Sequence, residues 1–174
     1  MKRIIACGVW IIFAMMLLII ADLKYARAQT PEAAPDFSME DLQGVNHRLS
    51  DYRGKVVVIN FWASWCAECI VELPSLGALF DKYKGRGLMV LGITTDRKRE
   101  SVEPLLKQSR VRYPVLLNTA GSALLKQYRI IGLPSTVVID KNGFIVERSA
   151  GRMDFDSSAF TGKINRLLDS AKRK

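Results

Sequence analysis

Histidine and cysteine are both scarce in this chain, which contains one histidine, His47, and three cysteines. Cys7 lies in an apolar N-terminal segment, where a small apolar side chain is the simplest interpretation of it. The rest of the chain offers one imidazole and two thiols, too few ligands for a closed zinc site. Attachment of haem is disfavoured as well, because isoleucine rather than histidine follows Cys69. The sequence therefore predicts no metal site and no bound cofactor.

The chain also lacks an internal repeat, a low-complexity tract and a recognisable nucleic-acid-binding motif. Its net charge is +9, but the lysines and arginines are scattered and are not interleaved with aromatic residues. A solvated basic surface explains this distribution, and a mild attraction to anionic lipid headgroups is the one functional interpretation that we retain. We expect no binding to nucleic acid.

An uncharged apolar run extends from Ile4 to Ala21, directly after two basic residues. Its length is at the threshold for crossing a bilayer and is long for the core of a signal peptide. The sequence Ala26-Arg27-Ala28 nevertheless fits a signal-peptidase site. The segment is therefore either an uncleaved membrane anchor or a signal peptide that is removed near Ala28.

The sequence divides into three parts on this basis. Residues 1–28 form the anchor or signal peptide, residues 29–35 a tether, and residues 36–174 a single domain that is exported in either case. Disulfides persist in an oxidising compartment such as a periplasm, so a pair of cysteines there meets oxidised partners. We expect the domain in the cell envelope, at the extracytoplasmic face of the inner membrane if the anchor is retained.

Strand-like and helix-like segments alternate through the domain. The predicted strands cover residues 36–42, 45–49, 55–62, 87–94, 114–117, 136–140 and 144–148. The predicted helices cover residues 66–86, 97–110, 121–128 and 157–171. Two of the strands are continuously apolar, as is typical of strands buried on both faces. The pattern predicts an α/β fold with a central mixed sheet that is flanked by helices.

Cys66 and Cys69 stand where the apolar strand over 55–62 turns into a helix. The unpaired N–H groups and the positive dipole end of a helix start stabilise a thiolate on the first cysteine. The second cysteine follows one turn later, close enough to form a disulfide with the first. Such a pair supports thiol–disulfide exchange, in which Cys66 attacks and Cys69 resolves the mixed disulfide. A structural disulfide is the weaker interpretation, because so short a loop contributes little chain entropy.

Two carboxylates lie close to these cysteines in sequence. Glu72 follows Cys69 by three residues, and it either relays a proton to and from Cys69, if burial raises its pKa, or stabilises the helix start. Glu68 stands between the cysteines, where its charge should oppose formation of the Cys66 thiolate. Because this destabilises the reduced form, Glu68 should make the couple a stronger reductant.

Two further features are candidates for binding a substrate. Leu133-Pro134 precedes the predicted strand over 136–140, where the proline either adopts the cis form or ends a loop in the trans form. Trp65, beside the first thiol, is a candidate contact for an unfolded substrate. Phe61 and Trp62 are expected to be core residues, because their strand buries them.

The segment from Asn60 to Pro74 resembles the active-site block of the TlpA/ResA-like branch of thioredoxin-fold proteins, and Ile131 to Asp140 resembles its cis-proline block. The resemblance covers roughly residues 33–170. It implies a thioredoxin fold with an added N-terminal hairpin and a central helical insertion. It further implies these roles: attacking thiol for Cys66, resolving thiol for Cys69, active-site carboxylate for Glu72 and cis-proline for Pro134.

The sequence departs from this family at Glu68, where the family usually has a proline, and this puts the redox potential and the choice of partner in doubt. Asn60 stands where cytoplasmic thioredoxins have a buried aspartate, as is common in this branch. Because asparagine cannot accept a proton as aspartate does, we expect Glu72 to carry out more of the proton transfer.

The resemblance also implies a function. It implies a membrane-tethered protein that reduces protein disulfides outside the cytoplasm, often in cytochrome c maturation. Its partners would be a disulfide-containing protein substrate and a membrane thiol reductant protein that returns electrons to the cysteine pair.

Three other functions use some of the same residues. The two thiolates and His47 are a ligand set for copper(I), although we expect His47 at the surface of the N-terminal hairpin. A disulfide donor would use the same cysteines and differ only in reduction potential. A peroxidase is disfavoured, because the stretch from Val56 to Trp65 lacks the proline and threonine that peroxiredoxins place before the reactive cysteine.

Overall fold

The computed structural model describes residues 15–16, 31–109 and 111–170. The apolar run and the cleavage motif of the N-terminal segment lie outside the described residues, apart from Met15 and Met16. Within the described part of the chain, no helix has the length and apolar character needed to span a membrane.

Eight strands form two sheets in the described residues. They are β1 (Glu32–Ala33), β2 (Ser38–Glu40), β3 (Asn46–Arg48), β4 (Val56–Trp62), β5 (Leu88–Thr94), β6 (Val115–Leu117), β7 (Ser135–Ile139) and β8 (Phe144–Ala150). Six of them form one sheet in the order β1-β8-β7-β4-β5-β6, and β2 and β3 form a separate hairpin. The β4–β5 and β5–β6 pairs are parallel and the other pairs are antiparallel. The predicted mixed sheet is confirmed.

Helices and the hairpin cover the two faces of this sheet. The helices are α1 (Ala67–Tyr83), α2 (Arg99–Gln108), α3 (Ser122–Gln127) and α4 (Ser158–Asp169). Residues of α1, α2 and α4 share one core cluster with Val58 and Trp62 of β4. Residues of α3 and the hairpin share the other cluster with Ile59 and Phe61. Because β4 lies between these two clusters, all seven of its residues are buried, which explains its continuous apolar run.

Strand β1 lies inside the segment that the sequence placed in a tether. Glu32 and Ala33 pair with Ile145 and Phe144 of β8. Arg148, also in β8, donates two hydrogen bonds to the Glu32 carboxylate, at 2.7 and 3.0 Å. Two residues are too few to show an apolar alternation, so the sequence gives no strand signal here. The domain therefore begins before residue 36.

His47 in β3 is buried, so the expectation that it lies at the surface is wrong. Its Nε2 lies 2.8 Å from Oδ2 of the buried Asp41, and its Nδ1 contacts the Tyr52 hydroxyl. Asp41 Oδ1 also accepts hydrogen bonds from the backbone N–H groups of Gln43 and Val45. Both ring nitrogens of His47 are thus engaged by the hairpin turn and by the turn that follows β3, which removes the third ligand of the copper(I) alternative.

Replacing Asp41 by asparagine should destabilise the fold at neutral pH and flatten its acid dependence. Burial opposes ionisation of Asp41, but hydrogen bonds from His47, Val45 and Gln43 outweigh it and lower the pKa of this carboxyl. A carboxyl whose pKa is lowered on folding stabilises the fold above its unfolded pKa, and this contribution is lost as the pH falls through the folded pKa. We expect D41N to lose about 1–3 kcal/mol of unfolding free energy at neutral pH.

Urea unfolding across the range from neutral pH to below 3.8, the ordinary pKa of the group, tests this expectation. The deficit of D41N should shrink as the pH falls. The exposed Asp51 in the neighbouring turn provides a matched control, D51N. A deficit that is the same at every pH would contradict the assigned role of the Asp41 charge.

Candidate active site

The two cysteines form a disulfide at the start of α1. Cys66 is the residue that precedes the first turn, and its Sγ accepts a hydrogen bond from the Cys69 N–H at 3.3 Å. The Cα atoms of the pair are 5.2 Å apart. Cys69 is fully buried, whereas Cys66 is 9% exposed. Cys66 is therefore the less buried of the two cysteines, which is consistent with the predicted order of attack and resolution.

The turn between β4 and Cys66 is fixed by Asp96, a residue that no motif in the sequence marks. The Ser64 N–H and the Ser64 hydroxyl each donate to the Asp96 carboxylate at 2.7 Å. The Thr94 hydroxyl, at the end of β5, donates to the same carboxylate at 2.6 Å. Asp96 thus ties the end of β5 to the residue two positions before the attacking thiol. A carboxylate just after a buried strand was its only signal in the sequence.

Replacing Asp96 by alanine should loosen this turn and slow attack by Cys66. The donors on Ser64 and Thr94 lose their acceptor, at a cost of about 1–3 kcal/mol of unfolding free energy. Since a thiol that is displaced by about 1 Å can lose a large factor in rate, we expect exchange to slow about tenfold. D96N retains one acceptor oxygen, so its unfolding free energy and its exchange rate should lie between those of D96A and the wild type. Urea unfolding and insulin reduction measure the two effects, and a wild-type rate in D96A would show that Asp96 does not hold the thiol.

The aromatic residues of this region divide as expected. Phe61 and Trp62 are fully buried, so their core assignment is confirmed, and Trp65 is 73% exposed. Trp65 therefore presents its ring to solvent directly beside the attacking thiol. Ile131, which the sequence analysis did not single out, is 93% exposed.

The peptide between Leu133 and Pro134 is cis, as the resemblance implies. Pro134 immediately precedes β7, and Ser135 of β7 pairs with Phe61 near the end of β4. Because β4 and β7 are antiparallel, the proline loop lies at the same end of the sheet as the cysteines that follow β4. Leu133 is half-buried and packs against both core clusters, so it has a packing role as well as a place in the predicted binding loop.

Glu72 lies on the buried side of α1, with 2% of its surface exposed. Its Oε1 accepts a hydrogen bond from Asn60 Nδ2 at 2.7 Å, and its Oε2 accepts one from the Met153 N–H at 3.0 Å. Burial raises the pKa of Glu72, against the lowering effects of Met153, Asn60 and Arg152. The condition for a proton relay, a pKa that burial raises, is therefore met in direction, and the relay itself stays a prediction. A carboxyl with a raised pKa, one turn after Cys69, is suited to exchange a proton with that thiol.

Glu68 lies in the first turn of α1 and has a partner that the sequence did not predict. Its Oε2 forms an ion pair with Nε of Arg152, at 3.3 Å. Both side chains are about half exposed, 64% for Glu68 and 54% for Arg152. The charge between the two cysteines is therefore partly neutralised.

The site has the parts that thiol–disulfide exchange requires: an accessible thiol, a buried resolving thiol, a carboxyl beside it and a cis-proline loop. Across the described ranges, no group of three or more acidic, histidine or cysteine side chains could hold a metal ion. The mixed sheet and this arrangement together define a thioredoxin-fold thiol–disulfide oxidoreductase.

Comparison with known proteins identifies the family. Residues 31–148 match the AhpC/TSA family, to which the chain belongs. Thiol-disulfide oxidoreductase ResA of Geobacillus kaustophilus is 37% identical over 139 residues, which cover 80% of this chain and 76% of that protein.

Two solved structures show the same fold. A thiol-disulfide oxidoreductase from Bacteroides fragilis superposes with a TM-score of 0.67 at 30% identity, covering 78% of this chain and 99% of that one. A thiol:disulfide interchange protein of the thioredoxin family from Chlorobium tepidum gives 0.70 at 26% identity, covering 80% and 97%. The protein is thus a redox enzyme of thiol–disulfide exchange.

Proposed function

We propose that this enzyme reduces protein disulfides outside the cytoplasm and is held at the membrane by its N-terminal segment. The observation that carries the direction of reaction is the charge around the cysteine pair. Arg152 is the guanidinium beside the Glu68 and Glu72 carboxyl groups, and it pairs with Glu68, so the site carries a net negative charge whenever Glu72 is ionised. Negative charge disfavours a thiolate, so the reduced form is not strongly stabilised and readily gives up its electrons.

The reaction proceeds in two exchange steps. The Cys66 thiolate attacks one sulfur of a substrate disulfide, which forms a mixed disulfide and releases the other sulfur as a thiolate that takes up a proton. Glu72, as carboxylate, accepts the proton of the Cys69 thiol. The Cys69 thiolate then attacks Cys66 Sγ, releases the second substrate sulfur as a thiolate and closes the Cys66–Cys69 disulfide. The substrate gains two electrons from the enzyme, its two thiolates take up protons from solvent, and the proton of Cys69 stays on Glu72.

Each turnover leaves the enzyme oxidised, so a second protein must reduce it again. We propose that this donor is a membrane thiol protein, whose thiolate attacks the accessible Cys66. Cys69 then leaves as a thiolate and recovers its proton from Glu72. Support for a membrane location comes from the uncharged run from Ile4 to Ala21, and support for a role in cytochrome c maturation comes from the resemblance to the TlpA/ResA-like branch.

A disulfide donor is the second candidate, and one observation favours it. Cys66 stands at the start of a 17-residue helix, where the dipole and the Cys69 N–H stabilise its thiolate. If this effect outweighs the carboxylates, the reduced form is stabilised and the protein becomes an oxidant.

Two assays with the full-length protein in detergent separate these functions. The reduced protein should reduce insulin disulfides rapidly, whereas the oxidised protein should introduce disulfides into reduced, unfolded ribonuclease slowly. The opposite ranking would make the protein a disulfide donor. Protease accessibility of the domain in spheroplasts tests the location, and a domain protected by the intact inner membrane would contradict export.

A further inference from the structure

Three consecutive residues that follow β8 each contact a different part of the active site. The Gly151 N–H donates to the carbonyl oxygen of Pro134 at 2.9 Å. Arg152 Nε pairs with Glu68 Oε2 at 3.3 Å. The Met153 N–H donates to Glu72 Oε2 at 3.0 Å. This segment, residues 151–153, therefore joins the cis-proline, the carboxylate between the cysteines and the buried carboxyl behind them.

Arg152 is the charged member of this segment, and it stands between two acidic groups of α1. Its guanidinium binds Glu68 directly, and its charge lowers the pKa of Glu72, whereas burial and Glu68 raise it. Because a carboxylate next to Cys66 opposes its ionisation, neutralising Glu68 favours the attacking thiolate.

A groove of about 400 Å³ lies beside Arg152 and leads to Glu72. It is lined by Val71, Glu72, Ser75, Arg152, Met153 and Asp154. The groove gives solvent an approach to a carboxyl that is otherwise buried. The charged and titratable groups that face Glu72 are Glu68 on the same helix, Arg152 and Asp154 after β8, and Tyr113 before β6. Burial and the charge of Glu72 both raise the pKa of Tyr113.

We propose that Arg152 is a positioning residue of the redox centre, which neutralises Glu68 beside the attacking thiol and anchors the segment whose Met153 N–H binds Glu72. This device compensates for the glutamate that stands between the two cysteines. Glu68 alone would lower the thiolate population of Cys66. With Glu68 paired to Arg152, this population stays close to the one expected of a site that has no charge between the cysteines.

The test is a double-mutant cycle with R152Q, E68Q and the double variant, in the full-length protein. All are made in a Cys7→Ala background, so that the alkylated thiols belong to the active site. The rate of alkylation of reduced Cys66 by iodoacetamide, followed against pH and read by mass spectrometry of its peptide, gives the pKa of this thiol. R152K tests charge at this position, and R99Q, which breaks the exposed Arg99–Glu103 pair of α2, is the matched control.

We expect R152Q to raise the Cys66 pKa by about half a unit, which lowers the thiolate population about threefold below that pKa, as is reasonable for a half-exposed pair. E68Q should shift the profile in the opposite direction. The double variant should return to within about twofold of the wild type, and R152K should remain close to it.

Three results would overturn the proposal. The first is an R152Q profile that coincides with those of R99Q and the wild type, even if R152Q unfolds more easily. The second is a double variant that behaves like R152Q, because Arg152 would then act independently of Glu68. The third is an R152K profile like that of R152Q. The alkylation profile does not depend on whether the enzyme reduces or oxidises its partners, so it separates this inference from the proposed function.

Discussion

Replacing Cys66 by serine should reduce the rate of insulin reduction to that of the uncatalysed reaction, a loss of about three orders of magnitude or more. Cys66 is the less buried of the two cysteines, and we expect that the fully buried Cys69 cannot replace it as nucleophile. A hydroxyl at the same helix start is a far weaker nucleophile near neutral pH than a thiolate. The effect should therefore be one of chemistry and not of folding.

The matching variant, C69S, should fail at the second step. Cys66 still attacks, but the mixed disulfide has no resolving thiol and accumulates as a covalent complex with the substrate. Non-reducing electrophoresis and mass spectrometry detect this complex. Cys7 provides the control, because C7S removes a thiol from the N-terminal segment and should leave the rate unchanged. Turnover by C66S, or ordinary turnover by C69S without a trapped complex, would contradict the assignment of the two roles.

Replacing Glu72 by glutamine should slow resolution of the mixed disulfide about a hundredfold and remove one limb of its pH profile. The carboxylate form accepts the proton of Cys69, so the wild-type rate should rise with pH through the pKa of Glu72. Burial raises this pKa above 4.5, the ordinary value of the group. Glutamine cannot accept the proton at any pH. Rapid-mixing measurements of product release from a preformed mixed disulfide test this, with the half-exposed Glu103 as the control, E103Q.

The same substitution should change how stability depends on pH. A carboxyl whose pKa is raised on folding contributes its full stability below the unfolded pKa, and this contribution is lost as the pH rises through the folded pKa. The wild-type protein should therefore lose unfolding free energy above pH 4.5, and E72Q should lose less over the same range. Urea unfolding of the oxidised proteins measures both slopes. Equal slopes, together with an unchanged resolution rate, would show that Glu72 neither titrates nor transfers protons here.

The parts of the site that lie close together in sequence were predictable. Cys66 directly precedes the helix that carries Cys69 and Glu72, so their spacing fixes their placement. The cis-proline block follows a separate local motif, and the structure shows its peptide in the cis form. Continuous apolar runs likewise identified β4 and β5, because strands buried on both faces have no polar side to interrupt the run.

The parts that the sequence did not reveal depend on contacts between distant segments. Met153 reaches Glu72 across 81 residues, and Asp96 reaches Ser64 across 32. No local pattern marks the backbone N–H of Met153 or the carboxylate of Asp96 for such a contact. The prediction that His47 lies at the surface was wrong for the same reason. His47 stands between Asn46 and Arg48 in a short polar strand, and its burial depends on contacts with Asp41 and Tyr52.

The reduction potential of the Cys66–Cys69 couple tests the central claim most directly. It can be measured on the full-length protein in a C7A background, by equilibration with glutathione and with thioredoxin and mass analysis of the trapped thiols. A value of about −270 mV or lower, near that of thioredoxin, is the result expected of a reductase. A value near about −120 mV would contradict it, since a couple so oxidising accepts electrons from its partners and donates its disulfide to them.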